Sequence, residues 1–137
     1  MHQHVYLVWE TYDGVRSGIA DFNGKPHHFQ CRFDEEADDY SALFDLKKID
    51  EETLKLALEQ WAIYRTWEAD FHSGKVPLDT HPGHGGLDKR YDELERLLKQ
   101  SLSEASVCVQ TSAAFTPKQH QAPRPEGCLL DMDVVWS

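Results

Sequence analysis

The segment DTHPGHGG, residues 79–86, places two histidines three positions apart in a stretch too rich in glycine and proline for a regular helix. The segment before it has helical periodicity and carries Glu68 and His72 four residues apart, on one face of the predicted helix. Carboxylate and imidazole groups bind zinc and other divalent metals, and imidazole also serves in acid–base chemistry near neutral pH. Glu68, His72, His81 and His84 therefore form a candidate metal-binding or hydrolytic site.

Arg65 lies on the same predicted stripe, where it would hold an anionic substrate or orient Glu68. A simpler interpretation competes with this one. If the helix extends past the core, Arg65 and Glu68 form an exposed ion pair that contributes roughly 0.2–0.5 kcal/mol, and the histidines lie in a solvated loop. The helical zinc motif with two histidines around a glutamate is absent.

An acidic run indicates a different class of function. Residues 34–39 read DEEADD, and the chain carries a net charge of −10. Clustered carboxylates complement a basic protein surface and chiefly raise the rate of association. The predicted contact residues are Asp34, Glu35, Glu36, Asp38, Asp39 and Trp67. Trp67 is the candidate aromatic anchor, because tryptophan is enriched at binding hot spots.

Three functions thus compete. The favoured one is an inhibitor-like or immunity-like protein that binds a basic protein partner and has no catalysis of its own. The alternative is the metal or hydrolytic site at the end of the long helix, with zinc or another divalent metal as its cofactor. The third is a pocket for a small ligand between a sheet and a helix.

Charge and cysteine usage exclude other classes. The acidic balance disfavours binding to nucleic-acid phosphates and to anionic membranes. No phosphate-binding loop, signal peptide or membrane-spanning stretch is visible in the sequence. The three cysteines, Cys31, Cys108 and Cys128, lie far apart, which favours reduced thiols in a cytoplasmic protein.

The elements that position these residues follow from hydrophobic periodicity and turn signals. Three β-rich runs are separated by Asp13-Gly14 and Asn23-Gly24, dipeptides typical of two-residue hairpin turns. Their pattern predicts a three-stranded antiparallel meander. In the third run, residues 25–33, Phe29, Cys31 and Phe33 alternate onto one face.

Two helices and two further strands follow. Asp50 is a suitable N-cap for a long helix that ends near His72, and a second helix covers about residues 87–102. Strands are predicted at 106–115 and 128–136, and the Pro-containing segment between them is predicted as a solvated linker. The first and last strands are candidates to pair.

We therefore expect one α+β domain spanning residues 1–137. Its antiparallel sheet would combine the N-terminal three-stranded meander with two C-terminal strands. Two helices would pack on one face of that sheet.

Overall fold

The computed structural model describes residues 1–137 and consists of six antiparallel strands and two α-helices. In chain order these are β1 Gln3–Thr11, β2 Val15–Phe22, β3 Lys25–Asp34, β4 Asp39–Lys48, α1 Glu51–His72, α2 Lys89–Glu104, β5 Val107–Pro117 and β6 Met132–Trp136. Each strand pairs with the next, and β1 also pairs with β6, so that the sheet closes into a barrel. Neither helix combines the length and apolarity needed to cross a membrane.

The expectation of an open sheet with helices on one face is wrong. Gln3 pairs with Val134, and this contact between first and last strands completes the ring. The predicted sheet lacks β4, because the acidic residues 34–39 that precede it resemble a loop. In the structure the acids form the β3–β4 turn, and the strand pairs on both sides, with Asp45 opposite Gln30 and Gln110.

The predicted N-terminal hairpins are confirmed. Asp13 and Gly14 have φ angles of 53° and 115°, and Asn23 and Gly24 have 53° and 75°. Asn23 and Gly24 are the two residues between the paired Phe22 and Lys25, and positive φ at both is what a type I′ turn requires. Asp13 and Gly14 instead belong to a three-residue loop, 12–14, between the paired Thr11 and Val15. The β2–β3 pairing that follows from the Asn23-Gly24 turn is regular, whereas the β1–β2 pairing contains register shifts.

The barrel interior is filled by apolar side chains. Its buried cluster comprises Val5, Val8, Ala20, Phe29, Cys31, Phe44, Leu46 and Val134. The alternation predicted for β3 holds for Phe29 and Cys31 but is wrong for Phe33, which is 51% exposed. A register irregularity in the β3–β4 pairing lies between Cys31 and Phe33, and it accounts for the change of face.

A second core joins the helices to the barrel. Leu7 and Ile19 face each other across β1 and β2 and are buried with Ala57 of α1 and Leu98 of α2. Asp50 caps α1, since its carboxylate accepts the Thr53 N–H at 2.8 Å, as the sequence predicts. The helices therefore form a layer against one side of the barrel.

Candidate functional site

A cavity of about 290 Å³ lies where β1, α1 and α2 meet. Four aromatic residues line it, namely Trp9, Trp61, Tyr64 and Tyr91. Its polar lining residues include Gln60, Glu68, His72 and His81. Three of the four residues predicted as a metal or hydrolytic site, Glu68, His72 and His81, therefore share one cavity.

Glu68 and Arg65 form a buried ion pair in the wall of this cavity. Their side chains are only 2% and 7% exposed, and Arg65 Nη1 donates to Glu68 Oε1. Arg65 Nη2 also donates to Asp131 Oδ1 at 2.9 Å. The alternative interpretation, an exposed pair at a helix end, is therefore wrong. One guanidinium and two carboxylates leave this cluster with a net charge of −1.

The segment between β5 and β6, residues 118–131, completes the site. The Leu129 N–H donates to Glu68 Oε2 at 2.9 Å, and Leu129 and Gly127 both line the cavity. Gly127 has a φ of +100°, and a Cβ at this position would lie 2.6 Å from His72 Nδ1. Gly127, from the predicted linker, and Leu129, from the predicted strand 128–136, thus pack over the end of α1, and the strand itself begins only at Met132.

The loop from 73 to 88 is anchored by Trp67. Its indole Nε1 donates to Thr80 Oγ1 at 2.9 Å, and its ring centroid lies 4.4 Å from that of His81. Trp67 is half-buried, so its contacts are with its own loop. The role of Trp67 as an aromatic anchor for a partner stays a prediction.

His81 enters the cavity in a defined chemical form. The Gly83 N–H donates to His81 Nδ1 at 2.9 Å, so the proton of the neutral ring sits on Nε2. Burial lowers the pKa of His81, and the neighbouring His84 lowers it further. The rings of His81 and His84 stack at 5.5 Å, but His84 lies outside the cavity lining.

The geometry gives no support to a metal centre. No group of three or more His, Cys, Asp or Glu side chains is arranged to hold a metal ion. Both carboxylate oxygens of Glu68 already accept hydrogen bonds, from Arg65 and from Leu129. The same arrangement leaves the aromatic rings and the His81 Nε2–H available to a ligand, while the Tyr64 hydroxyl lies 3.5 Å from Glu68 Oε2. The pKa of Tyr64 is raised to about 12 by burial and then by Glu68, so this hydroxyl stays protonated.

The acidic run lies at the turn of the β3–β4 hairpin. All five of its carboxylates, Asp34, Glu35, Glu36, Asp38 and Asp39, belong to exposed residues. Beside them Tyr12 and Phe33, 71% and 51% exposed, approach the ring of Tyr40 at 6.1 and 5.3 Å. Sequence reasoning missed this aromatic cluster, because it expected Phe33 in the core.

The two candidate sites differ in kind. The cavity is concave and lined by groups from β1, both helices and two loops, whereas the hairpin presents charge and aromatic area at the surface.

Comparisons with protein-family models, with curated proteins and with solved structures give no match for this chain.

Proposed function

We propose that the protein binds a small organic ligand in the cavity between β1, α1 and α2. The observation that carries this proposal is the buried carboxylate of Glu68 in a cavity walled by aromatic residues. Ligand sites combine such apolar walls with a few fixed polar groups. A polar cluster that only stabilised the fold would not need a cavity of about 290 Å³ beside it.

The size of the cavity limits the ligand. Ligand pockets usually enclose about 300–1,000 Å³, and this cavity of about 290 Å³ is slightly smaller than that range, which favours a small ligand. Both oxygens of Glu68 are already hydrogen-bonded, which favours a role in binding and orientation over proton transfer. The proposed function is therefore recognition of a small molecule rather than hydrolysis.

Ligand-observed NMR tests this proposal. A set of small neutral, cationic and anionic compounds is screened by saturation transfer against the wild-type protein and two variants. Trp61→Leu removes an aromatic wall of the cavity and is expected to abolish binding, whereas Tyr12→Leu alters the exposed aromatic cluster and is expected to leave it unchanged. Compounds that bind both variants as well as wild type would contradict the proposal, as would the absence of any binding compound.

A second candidate function is binding of a basic protein through the acidic hairpin. It is supported by the exposed aromatic cluster of Tyr12, Phe33 and Tyr40 beside the five carboxylates. Aromatic anchors surrounded by complementary charge are typical of protein interfaces. No nucleic-acid or membrane partner is proposed, because the net charge of −10 opposes both.

Capture of basic proteins on the immobilised chain tests the second candidate. The hairpin variant carries Asp34→Asn, Glu35→Gln, Glu36→Gln, Asp38→Asn and Asp39→Asn. The control neutralises five exposed acids elsewhere, with Glu51→Gln, Glu52→Gln, Asp79→Asn, Glu93→Gln and Glu104→Gln. Selective capture should disappear in the hairpin variant only, and equal loss in both would show that net charge alone is responsible.

A cytoplasmic setting is part of the proposal. Cys31, Cys108 and Cys128 are all free thiols in the structure. Unpaired cysteines are typical of reducing compartments, where disulfides rarely persist.

A further inference from the structure

We propose that the ligand of the cavity is a small molecule with a quaternary ammonium group; this inference rests on the proposed function. It follows from the charge of the cavity wall, from the aromatic lining and from the lack of free acceptors on Glu68. Each of these is a property of described side chains.

The charges around the cavity favour a cation. Glu68 is the one carboxylate among the lining residues, and no lysine or arginine lines the cavity. Arg65 pairs with the buried Glu68 and with the partly exposed Asp131, so that these three groups together carry a net charge of −1. The basic groups of the lining are the imidazoles of His72 and His81, and burial lowers the pKa of His81. The net negative charge nearby therefore attracts a cation more than an anion.

The aromatic lining suits a cation without N–H donors. Trp9, Trp61, Tyr64 and Tyr91 all line the cavity, and the electron-rich faces of such rings attract cations. Trp61 already makes one contact of this kind outside the cavity lining, since Arg65 Cζ lies 5.0 Å from the centroid of its ring. Clusters of aromatic rings are the usual means by which proteins recognise quaternary ammonium groups.

The hydrogen bonds of Glu68 favour a quaternary over a primary ammonium. Glu68 Oε1 accepts a hydrogen bond from Arg65, and Oε2 accepts one from the Leu129 N–H. The Tyr64 hydroxyl is a second donor near Oε2, at 3.5 Å. A primary ammonium has three N–H donors that lose water on entry and would compete for these occupied oxygens. A quaternary ammonium needs no acceptor and gains from the negative charge alone.

Calorimetric titration of the full chain with choline tests this inference. The matched comparator is 3,3-dimethylbutan-1-ol, which has the shape of choline without its charge. Choline is expected to bind at 1:1 stoichiometry about tenfold more tightly than the alcohol, a difference that corresponds to the upper range of cation–π energies. Equal affinity of the two compounds would overturn the inference.

The Asp131→Asn variant tests the contribution of negative charge to choline binding, because it removes one charge without changing the residues that line the cavity. Asp131 lies outside the cavity lining, and asparagine retains an oxygen that accepts from Arg65 Nη2. Choline affinity should fall several-fold in this variant, while the alcohol should bind as it does to wild type. An unchanged choline affinity would contradict the electrostatic argument.

Tyr91→Leu and Tyr91→Phe report on the aromatic wall. Tyr91 is partly buried near the start of α2, so leucine removes the aromatic ring and phenylalanine retains it. Choline binding should weaken in Tyr91→Leu and persist in Tyr91→Phe, provided that both variants unfold at urea concentrations close to wild type. If neither substitution changes the affinity, choline binds elsewhere and the inference fails.

Two further probes distinguish the possible failures. If a trimethyllysine peptide binds while choline does not, the ligand is a methylated lysine of a partner protein. That result would overturn the inference that the ligand is a small molecule. Neutral indole that binds in the cavity while choline does not would overturn the cation inference and leave the proposed function standing. If none of these probes and no compound in the screen binds, both proposals fail.

Discussion

Arg65 and Glu68 form a buried ion pair one turn apart on α1, and Leu129 and Asp131 from the C-terminal part of the chain add hydrogen bonds to it. Burying two charges costs desolvation free energy that mutual attraction offsets only when the remaining polar atoms are also satisfied. One guanidinium atom, Arg65 Nε, is buried without a hydrogen-bond partner, so the cluster is not fully satisfied.

Glu68→Ala should lower the free energy of unfolding by about 3–5 kcal/mol, because it leaves Arg65 buried with only the partly exposed Asp131 as partner. Urea unfolding followed by circular dichroism measures this change. The control is Lys99→Met in the exposed Lys99–Glu95 pair, which should change stability by less than about 1 kcal/mol. Similar effects of the two substitutions would show that the Arg65–Glu68 pair is not effectively buried.

Gly127→Ala should destabilise the protein more than Gly14→Ala does. The φ angles are +100° at Gly127 and +115° at Gly14, so that substitution by alanine carries a comparable backbone penalty of about 1–3 kcal/mol at both positions. Only at Gly127 does the new Cβ meet a side chain, at 2.6 Å from His72 Nδ1, whereas nothing lies within 4 Å at Gly14. The difference between their urea midpoints measures the contact with His72. That difference should disappear in a His72→Ala background, and its persistence there would contradict the contact.

Acid should destabilise the protein through His28. Burial, and then the charge of Lys47, lowers the pKa of His28 to about 4, and its Nδ1 is buried without a partner. Above pH 6.5 the ring is neutral in both folded and unfolded chains. Below that value the unfolded chain binds a proton that the folded chain does not, so stability falls until about pH 4, by about 3 kcal/mol in total.

His28→Gln should flatten the dependence of the urea midpoint on pH between 6.5 and 4. His2→Gln at the exposed N-terminus serves as the control and should leave the wild-type curve unchanged. The pKa values of His4 and His81 are also lowered by burial, so a smaller slope of the same sign should remain in His28→Gln. Identical curves for wild type and His28→Gln would show that His28 is solvated.

Local chemistry made part of the fold predictable from the sequence. Asp-Gly and Asn-Gly turns specified the first two hairpins, and Asp50 marked the start of α1. Closure of the barrel was not predictable in this way. The acids at residues 34–39 hid the start of β4, and pairing of β1 with β6 joins residues at opposite ends of the chain.

The candidate site was predicted only where it is local. Glu68 and His72 share a helix face, and His81 follows in the next loop, so their spacing placed them near one another. Leu129 and Asp131 contact this site across more than 60 residues of sequence, from residues that were predicted as the start of the last strand. Hydrophobic periodicity does not signal contacts between residues so far apart in sequence. These same contacts help to bury the Arg65–Glu68 ion pair.

The most direct test of the central claim, that the cavity is a ligand site, is ¹⁵N NMR of the four tryptophan indole groups during titration with choline and with indole. Trp9 and Trp61 line the cavity, whereas Trp67 and Trp136 do not. The indole N–H of Trp67 donates to Thr80 Oγ1, and that of Trp136 donates to the carbonyl of Asp21. With either compound, the Trp9 and Trp61 resonances should shift saturably with one dissociation constant, while that of Trp136 stays in place. Absence of a saturable shift for both compounds, or a shift confined to Trp136 or Trp67, would contradict a ligand site in this cavity.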